Sequence, residues 1–316
     1  KTKSGAAAAL DPLHRPFGFM SENFRSIPHE KAEAHTVLRP NGVRLKIYRL
    51  IGPVQDGPVL LFGHANGTAA GSYIHLLEEL ARRVTVFAFD ARGHGGSSAP
   101  ATNIAADYRL ENFTNDLEAI AQTVCDETGN APFYYAAHSL NAAASLRLGA
   151  RAGRVPWRDS VLFEPPVFPP LSHPLRALAE ERTKRIVKRC RNRRSRWPSP
   201  EAFVEAQKKK PLFENFETGR LLDYARANLE PTGEGDTKLA CPPEIEAAIF
   251  SAHQNAVTYD GLVDFPMPVR FVASAPDPDD GTNWIARIAP EITKRVSGST
   301  LHVVKDTSHL LPFEAT

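Results

Sequence analysis

The chain has 316 residues, 42% of them hydrophobic and 9% aromatic, enough for one large folded domain, or a core with one insertion, and too much for a disordered chain. Its formal charge of +2 is nearly balanced, and no aromatic-interleaved basic motif occurs, which argues against a nucleic-acid partner. No run of about 18 apolar residues is present, so no segment is expected to span a membrane.

In chain order, residues 1–30 are irregular, with Pro12, Pro16 and Pro28, and read as an arm lying on the core. Residues 34–38 and 43–50 read as two strands joined around Asn41-Gly42, a hairpin turn signal. The apolar run 59–62 is expected to be a strand buried on both faces. It ends in Gly63-His64-Ala65-Asn66-Gly67, and a helix follows near 73–82. Residues 84–89 form the next buried strand, ending in Asp90-Ala91-Arg92-Gly93-His94-Gly95-Gly96-Ser97. A helix over 112–127 ends at Gly129. The aromatic-rich stretch 133–138 reads as a strand that breaks at Ser139 and continues through small residues as a helix. A further strand, 161–164, is stopped by Pro165-Pro166.

From Pro165 the texture changes. Strands disappear, helical segments take over, and between Arg182 and Arg196 there are nine Lys or Arg and no acid. Lys208-Lys209-Lys210 adds three more cations. After Pro266-Met267-Pro268 the alternating pattern returns, with a strand over 269–273, a helix from Trp284 and a last strand over 300–304. The expected architecture is α/β: a mostly parallel central sheet with helices on both faces. Residues 1–164 form the first part of its core, 165–267 a helical cap insertion, and 268–316 the second part.

A Ser on a sharp strand-to-helix turn is the arrangement of a nucleophile elbow, which lifts the hydroxyl above the sheet at a helix N-terminus. The usual Gly-x-Ser-x-Gly reads here as Ala137-His138-Ser139-Leu140-Asn141. Ala137 is an easy substitute, whereas Asn141 must point into a local gap or make a hydrogen bond. Taken alone, the stretch is equally an ordinary strand-turn-helix crossing. Cys125, Cys190 and Cys241 are scattered without metal-like spacing. They read as free thiols in a reducing compartment, the cytoplasm or an organelle lumen. The chain starts at Lys1 rather than Met, which leaves room for a removed leader.

Four loops at the C-terminal ends of the expected strands together resemble the α/β-hydrolase superfamily, over about residues 34–316 and in the order of its motifs. Gly63-His64-Ala65-Asn66-Gly67 resembles the His-Gly oxyanion loop, and Asp90 to Ser97 the Asp-x-Arg-Gly-x-Gly-x-Ser turn. Asp277, just beyond strand 269–273, stands in the usual place of the triad acid. Thr307-Ser308-His309-Leu310-Leu311-Pro312-Phe313-Glu314 is similar to the terminal loop that carries the catalytic His. The insertion, with its Arg-rich helix and the stretch from Leu239 to Ala247, looks like that of a mainly fungal, lipase-like group with a helical cap.

The resemblance implies Ser139 as nucleophile, His309 as base and Asp277 as the acid that orients it. Asp279 and Glu164 are the alternative acids, Glu164 because some members place the acid after the strand beyond the elbow. The oxyanion hole is expected from the N–H of Leu140 and of Asn66, with Ala65 as second choice. His64 is read as structural, Asp90, Arg92 and His94 as a turn scaffold, and His138 as packing beside the nucleophile.

The implied function is a serine hydrolase cleaving a carboxylic ester, thioester or lactone of a small-molecule acyl substrate, with no metal or organic cofactor. Carbon–carbon bond hydrolysis with the same triad and non-catalytic ligand binding are the rival readings. The cap is expected to enclose an apolar pocket, partly walled by Phe, Leu and Tyr residues between Phe203 and Tyr224. The Arg182–Arg196 run reads as a solvated helix face, as an anionic-substrate site or as a contact with an anionic membrane surface. The chain ends at Thr316, where the family normally adds a C-terminal helix, so a C-terminal targeting signal would lie outside it. Neither substrate identity nor oligomeric state is legible.

Overall fold

A computed structural model describes residues 24–129, 131–210, 213, 216–254, 257–276 and 283–314, with the backbone of Phe17–Gly18. Eight strands make the central sheet: β1 (Ala32–Leu38), β2 (Arg44–Leu50), β3 (Val59–Gly63), β4 (Thr85–Asp90), β5 (Phe133–His138), β6 (Ser160–Phe163), β7 (Arg270–Ser274) and β8 (Thr300–Val304). Their spatial order is β8-β7-β6-β5-β3-β4-β2-β1. The first two strands pair antiparallel as a hairpin, and β2 is antiparallel to β4. Every other neighbouring pair is parallel. The hairpin turns where expected: Gly42 takes φ 79°, a conformation that favours glycine, and Arg39 N–H donates to the Val43 carbonyl at 2.8 Å.

The sheet is covered on both faces, and alternation along the strands divides its side chains between two cores. Leu45, Ile47, Leu61, Phe87, Phe89, Tyr135 and Ala137 face one core, which holds residues of helices α2 (Leu110–Thr128) and α3 (Leu140–Ala152). Tyr48, Leu50, Phe62, Val86, Ala88 and Ala136 face the other, which holds residues of helix α1 (Ile74–Ala81). Burying each of the larger side chains contributes about 1.5–3 kcal/mol, so β3 and β4 tolerate no polar alternation and read as continuous apolar runs.

Between β6 and β7 lie helices α4 (Arg176–Arg191), α5 (Pro200–Gln207), α6 (Thr218–Asn228) and α7 (Pro243–Ala252). Helix α4 packs on α7, and α6 packs on the one-turn helix Ala70–Tyr73 that follows the β3 loop. This segment also holds an antiparallel sheet in which Thr237–Leu239 pairs with both Leu229–Pro231 and Arg196–Trp197. That sheet departs from the expectation that strands disappear here. Its strands have two or three residues, too few to print a period of two, and it turns at Gly233 and Gly235, with φ 84° and 85°.

Most of the basic run faces outward: Lys184, Arg185, Lys188, Arg189, Arg191, Arg194 and Arg196 are exposed. Arg193 turns inward, its Nη1 donating to Glu246 Oε2 at 2.7 Å. Among the described residues no helix is long and apolar enough to cross a membrane. Helix α8 (Trp284–Arg295) begins at Asn283, whose side chain caps it by accepting from Ala286 N–H. It returns the chain to β8.

Candidate active site

Ser139 stands where β5 turns into α3, with φ 53° and ψ −108°. A residue with a Cβ adopts such a left-handed conformation only when its surroundings impose it. Here Ser139 N–H donates to the Phe163 carbonyl at 2.9 Å, and its own carbonyl accepts from Ala143 N–H at 2.9 Å to begin the helix. Strand and helix cross closely because Ala137, Ala142, Ala143 and Ala144 are small and buried. Next door, a Cβ on Gly63 would lie 2.6 Å from Asn141 Cβ and 2.8 Å from the Tyr135 hydroxyl, so glycine is required there.

Asn141 makes a hydrogen bond rather than filling a gap. Its Nδ2 donates to the His64 carbonyl at 2.6 Å, and its own carbonyl accepts from the Tyr135 hydroxyl at 3.2 Å. The residue that replaces the second glycine of the elbow therefore ties the elbow helix to the loop after β3.

The Ser139 hydroxyl lies 3.1 Å from His309 Nε2. The other ring nitrogen, Nδ1, lies 3.0 Å from Glu164 Oε2. The carboxylate against His309 is that of Glu164, one of the alternative acids, from the end of β6. Asp277 and Asp279 lie outside the described residues. Glu164 has φ 47°, and its N–H donates to the Val272 carbonyl at 2.9 Å on the neighbouring strand.

The Glu164 carboxylate is wholly buried and fully engaged. Oε1 accepts from the Ser274 N–H at 2.7 Å and from its hydroxyl at 2.9 Å. Oε2 accepts from Asn283 Nδ2 at 3.2 Å as well as from His309. Burial works against its ionisation, but the hydrogen bond and charge of His309, with the two bonds from Ser274, outweigh it and hold the pKa below the ordinary value. Glu164 is thus an anion at neutral pH, His309 Nδ1 carries a proton toward it, and Nε2 presents a lone pair to Ser139.

The His309 loop follows β8 and is braced by Ser308, whose N–H and hydroxyl donate to Glu314 at 2.6 and 2.8 Å. The His309 carbonyl accepts from His138 Nε2 at 2.8 Å. Phe313, on the same loop, packs on Tyr73 with ring centroids 4.5 Å apart and stacks on Phe216 at 5.2 Å.

Opposite lies the loop from Gly63 to Gly67. Among the described residues no acceptor takes the backbone N–H of Leu140 or of Asn66, so both remain for a ligand oxygen. Ala65, the second choice from sequence, is excluded as a donor because its N–H is spent on the Tyr73 hydroxyl at 3.2 Å. His64 is structural: Nε2 accepts from Ala91 N–H at 2.9 Å, while Nδ1 donates to the Ala65 carbonyl at 2.7 Å. Burial pulls its pKa down to about 4, so it stays neutral.

Asp90 accepts from Ser26, Tyr48, Ala70 and Gly96, and Arg92 grips both oxygens of Asp116 at 2.6 and 2.8 Å. His94 Nε2 accepts from Gly67 N–H at 3.0 Å. These are scaffold contacts, as expected. Asn66 Nδ2 donates to the Glu246 carbonyl at 3.1 Å, which brings the Arg193–Glu246 ion pair onto the rim of the loop.

Sequence reasoning missed Ser274, Asn283, Tyr73 and Glu246. Asn283 carried a signal, an N-cap residue before the helix at Trp284. The other three become neighbours of the site only through the fold.

Residues 59–316 match a family model described as "Alpha/beta hydrolase family". A curated relative, "Uncharacterized hydrolase YraK" of Bacillus subtilis (strain 168), is 30% identical over 96 residues, which cover 30% of this chain and 33% of that protein. The chain thus spans well under two thirds of that relative's length. Among solved structures, E-2-(acetamidomethylene)succinate hydrolase superposes with a TM-score of 0.70 at 17% identity, over 90% of this chain and 94% of that one. The thioesterase domain from the curacin biosynthetic pathway does so at 0.65 and 15%, over 90% and 96%. At such identities the likeness is one of fold.

Proposed function

The chain belongs to the alpha/beta hydrolase family, and from that premise we propose that it is a serine hydrolase cleaving a carboxylic ester, thioester or lactone through an acyl-enzyme. The observation that carries this reading is the continuous chain Ser139 Oγ–His309 Nε2 at 3.1 Å and His309 Nδ1–Glu164 Oε2 at 3.0 Å, with the serine on a left-handed turn.

In the proposed reaction the Ser139 oxygen attacks the acyl carbon while His309 Nε2 takes its proton. Glu164 fixes the ring tautomer and stabilises the imidazolium. The N–H groups of Leu140 and Asn66 receive the oxyanion. His309 returns the proton to the leaving oxygen or sulfur, and the acyl-enzyme remains. Water then repeats the sequence, with His309 as base, and frees the acid. Every step uses side chains, backbone N–H groups and water. The intact hydrogen-bonded chain and the anchored Asn141 favour this reading over a non-catalytic binder.

The residues between β6 and β7 are read as a cap. They begin beside Glu164 and return over the loop after β3 through Glu246, so a small acyl substrate would be enclosed and water limited. The outward face of its basic run supports a solvated role. The free thiols Cys125, Cys190 and Cys241 suit a reducing compartment.

The test is covalent labelling. A fluorophosphonate probe is expected to modify Ser139, and Ser139→Ala should abolish both labelling and turnover of nitrophenyl acyl esters. Labelling at another serine, or turnover that survives in Ser139→Ala, would remove the proposal.

A further inference from the structure

His138 immediately precedes the nucleophile, is fully buried, and takes no part in the reaction as written. Its two ring nitrogens nevertheless reach two other parts of the site. Nε2 lies 2.8 Å from the His309 carbonyl, an oxygen that can only accept, so Nε2 must carry the hydrogen. Nδ1 lies 2.7 Å from the Tyr73 hydroxyl. In a neutral ring Nδ1 is then an acceptor, so the Tyr73 O–H donates to it. That donation leaves the Tyr73 oxygen to accept, and the Ala65 N–H supplies its hydrogen at 3.2 Å.

One direction of donation therefore runs from Ala65 N–H to Tyr73, from Tyr73 to His138, and from His138 to the main chain of His309. The reverse direction is closed at both ends, because Ala65 offers only a donor and the His309 carbonyl only an acceptor. Burial, and after it the proximity of His309, holds His138 well below its ordinary pKa, in keeping with a neutral ring. The ring lies 5.0 Å, centroid to centroid, from that of His309, and Tyr73 is pinned from its other side by Phe62 and Phe313.

We propose that His138, fixed by Tyr73 as the Nε2–H tautomer, is a positioning residue that holds the His309 main chain and sets it against the oxyanion loop. The inference rests on the reading of Ser139 and His309 as nucleophile and base. Ala65 adjoins Asn66, the oxyanion donor, and the same loop is tied to the elbow by Asn141 and the His64 carbonyl. The base, the nucleophile and the oxyanion donor thus stand on three loops joined in a ring of hydrogen bonds. Without the His138 link, no described donor serves the His309 carbonyl, and the loop is held by the bonds of Thr307 to the Val304 carbonyl and of Ser308 to Glu314. A displacement of the base by about 1 Å is enough to slow the acylation step by about 100-fold.

Three substitutions separate positioning from packing. Gln places an N–H near the Nε2 site and can still serve the His309 carbonyl. Asn places its amide near the Nδ1 site and can serve only Tyr73. Phe fills the volume and serves neither. The expected order of kcat on a nitrophenyl ester is His138→Gln above His138→Asn and His138→Phe, with the last two down about 10- to 100-fold and KM changed little. Melting temperatures should follow a different order, because Phe restores packing. If kcat follows thermal stability across the three variants, or if His138→Phe turns over like wild type, the positioning role is overturned.

A second measurement does not depend on turnover. Nitrogen-15 NMR of the wild-type histidines should show His138 as a neutral Nε2–H tautomer across the pH range in which the enzyme is folded, and Tyr73→Phe should remove that preference. An Nδ1–H tautomer, or a His138 that titrates near neutral pH, would sink the inference even if Ser139 is the nucleophile. Loss of Ser139 labelling in wild type would sink the functional reading while leaving the tautomer result standing.

Discussion

Replacing Glu164 by glutamine keeps the shape of the side chain and changes one carboxylate oxygen to an NH2 group. The Ser274 N–H and hydroxyl both donate to Oε1, so the amide oxygen stays there. The NH2 must then occupy the Oε2 place, facing His309 Nδ1 and Asn283 Nδ2, both of which carry hydrogens. Keeping the productive tautomer of His309 leaves Nδ1–H and the new amide N–H buried without acceptors, at about 1–3 kcal/mol each. Moving the proton to Nε2 relieves that conflict but removes the lone pair that faces Ser139. Loss of the negative charge beside the imidazolium adds to either penalty, so the acylation barrier should rise by about 3–6 kcal/mol. At 1.36 kcal/mol per factor of ten, the rate falls about 10²- to 10⁴-fold. The assay is the rate constant for fluorophosphonate labelling of Ser139, with kcat on a nitrophenyl ester and a melting curve to confirm folding. Asp277→Asn and Asp279→Asn should change these rates little. A Glu164→Gln enzyme within tenfold of wild type, or an Asp277→Asn enzyme that loses as much, would refute the reasoning.

The buried histidines predict an acid limit to stability. Burial holds His64 and His253 down to about 4 and His94 down to about 3, against an ordinary 6.5, so the unfolded chain takes up protons first as pH falls. The stabilisation is full above pH 6.5 and declines toward pH 4, by roughly 3 kcal/mol for His64 alone; a melting temperature flat from pH 7 to 4 would contradict this. Glu164 also has a depressed pKa, so its contribution is present above 4.5 and lost as pH falls through the folded value. The stability gap between wild type and Glu164→Gln should therefore shrink in acid. Asn141→Ala removes the donor to the His64 carbonyl and is expected to cost about 1–3 kcal/mol of stability and to lower kcat more than it raises KM. Between β6 and β7, Arg193→Met should destabilise by about 2 kcal/mol by stranding Glu246, whereas reversing the charge of exposed Lys188 or Arg189 should stay within about 0.5 kcal/mol; equal losses at both would mean the outward face is not simply solvated.

Where a local pattern has only one structural outcome, the sequence could be read directly. The runs at β3 and β4 could only be buried strands and Asn41-Gly42 could only turn, while the serine between a strand and a row of alanines was legible as a turn, and as an elbow only beside the other loops. His309 was legible for the same reason, as the histidine of the loop after the last strand. The acid was not. Glu164 and Asp277 each follow the end of a strand and precede a proline, so nothing local separates them. What separates them is that β6 lies beside β7, which brings Ser274 and Asn283 around Glu164 and makes a buried carboxylate tolerable. The replacement of the elbow glycine by Asn141 was legible as a question, and its answer, the His64 carbonyl, lies on another strand's loop. The short sheet of the insertion escaped because two or three residues carry no period.

Both clamps on the site, Asn141 on His64 and His138 on His309, close on main-chain oxygens rather than on side chains. The imidazole of His309 is therefore held by a backbone that does not need the imidazole to stay in place, and its side chain is 34% exposed. Cutting it back in His309→Ala should leave a socket open to solvent, with the Glu164 carboxylate at its base and the Ser139 hydroxyl at its wall. Free imidazole added to the buffer can then occupy that socket and act as a diffusible base. Activity returning in a saturable way with imidazole concentration is chemical rescue, and in this fold it follows from where the clamps are fastened.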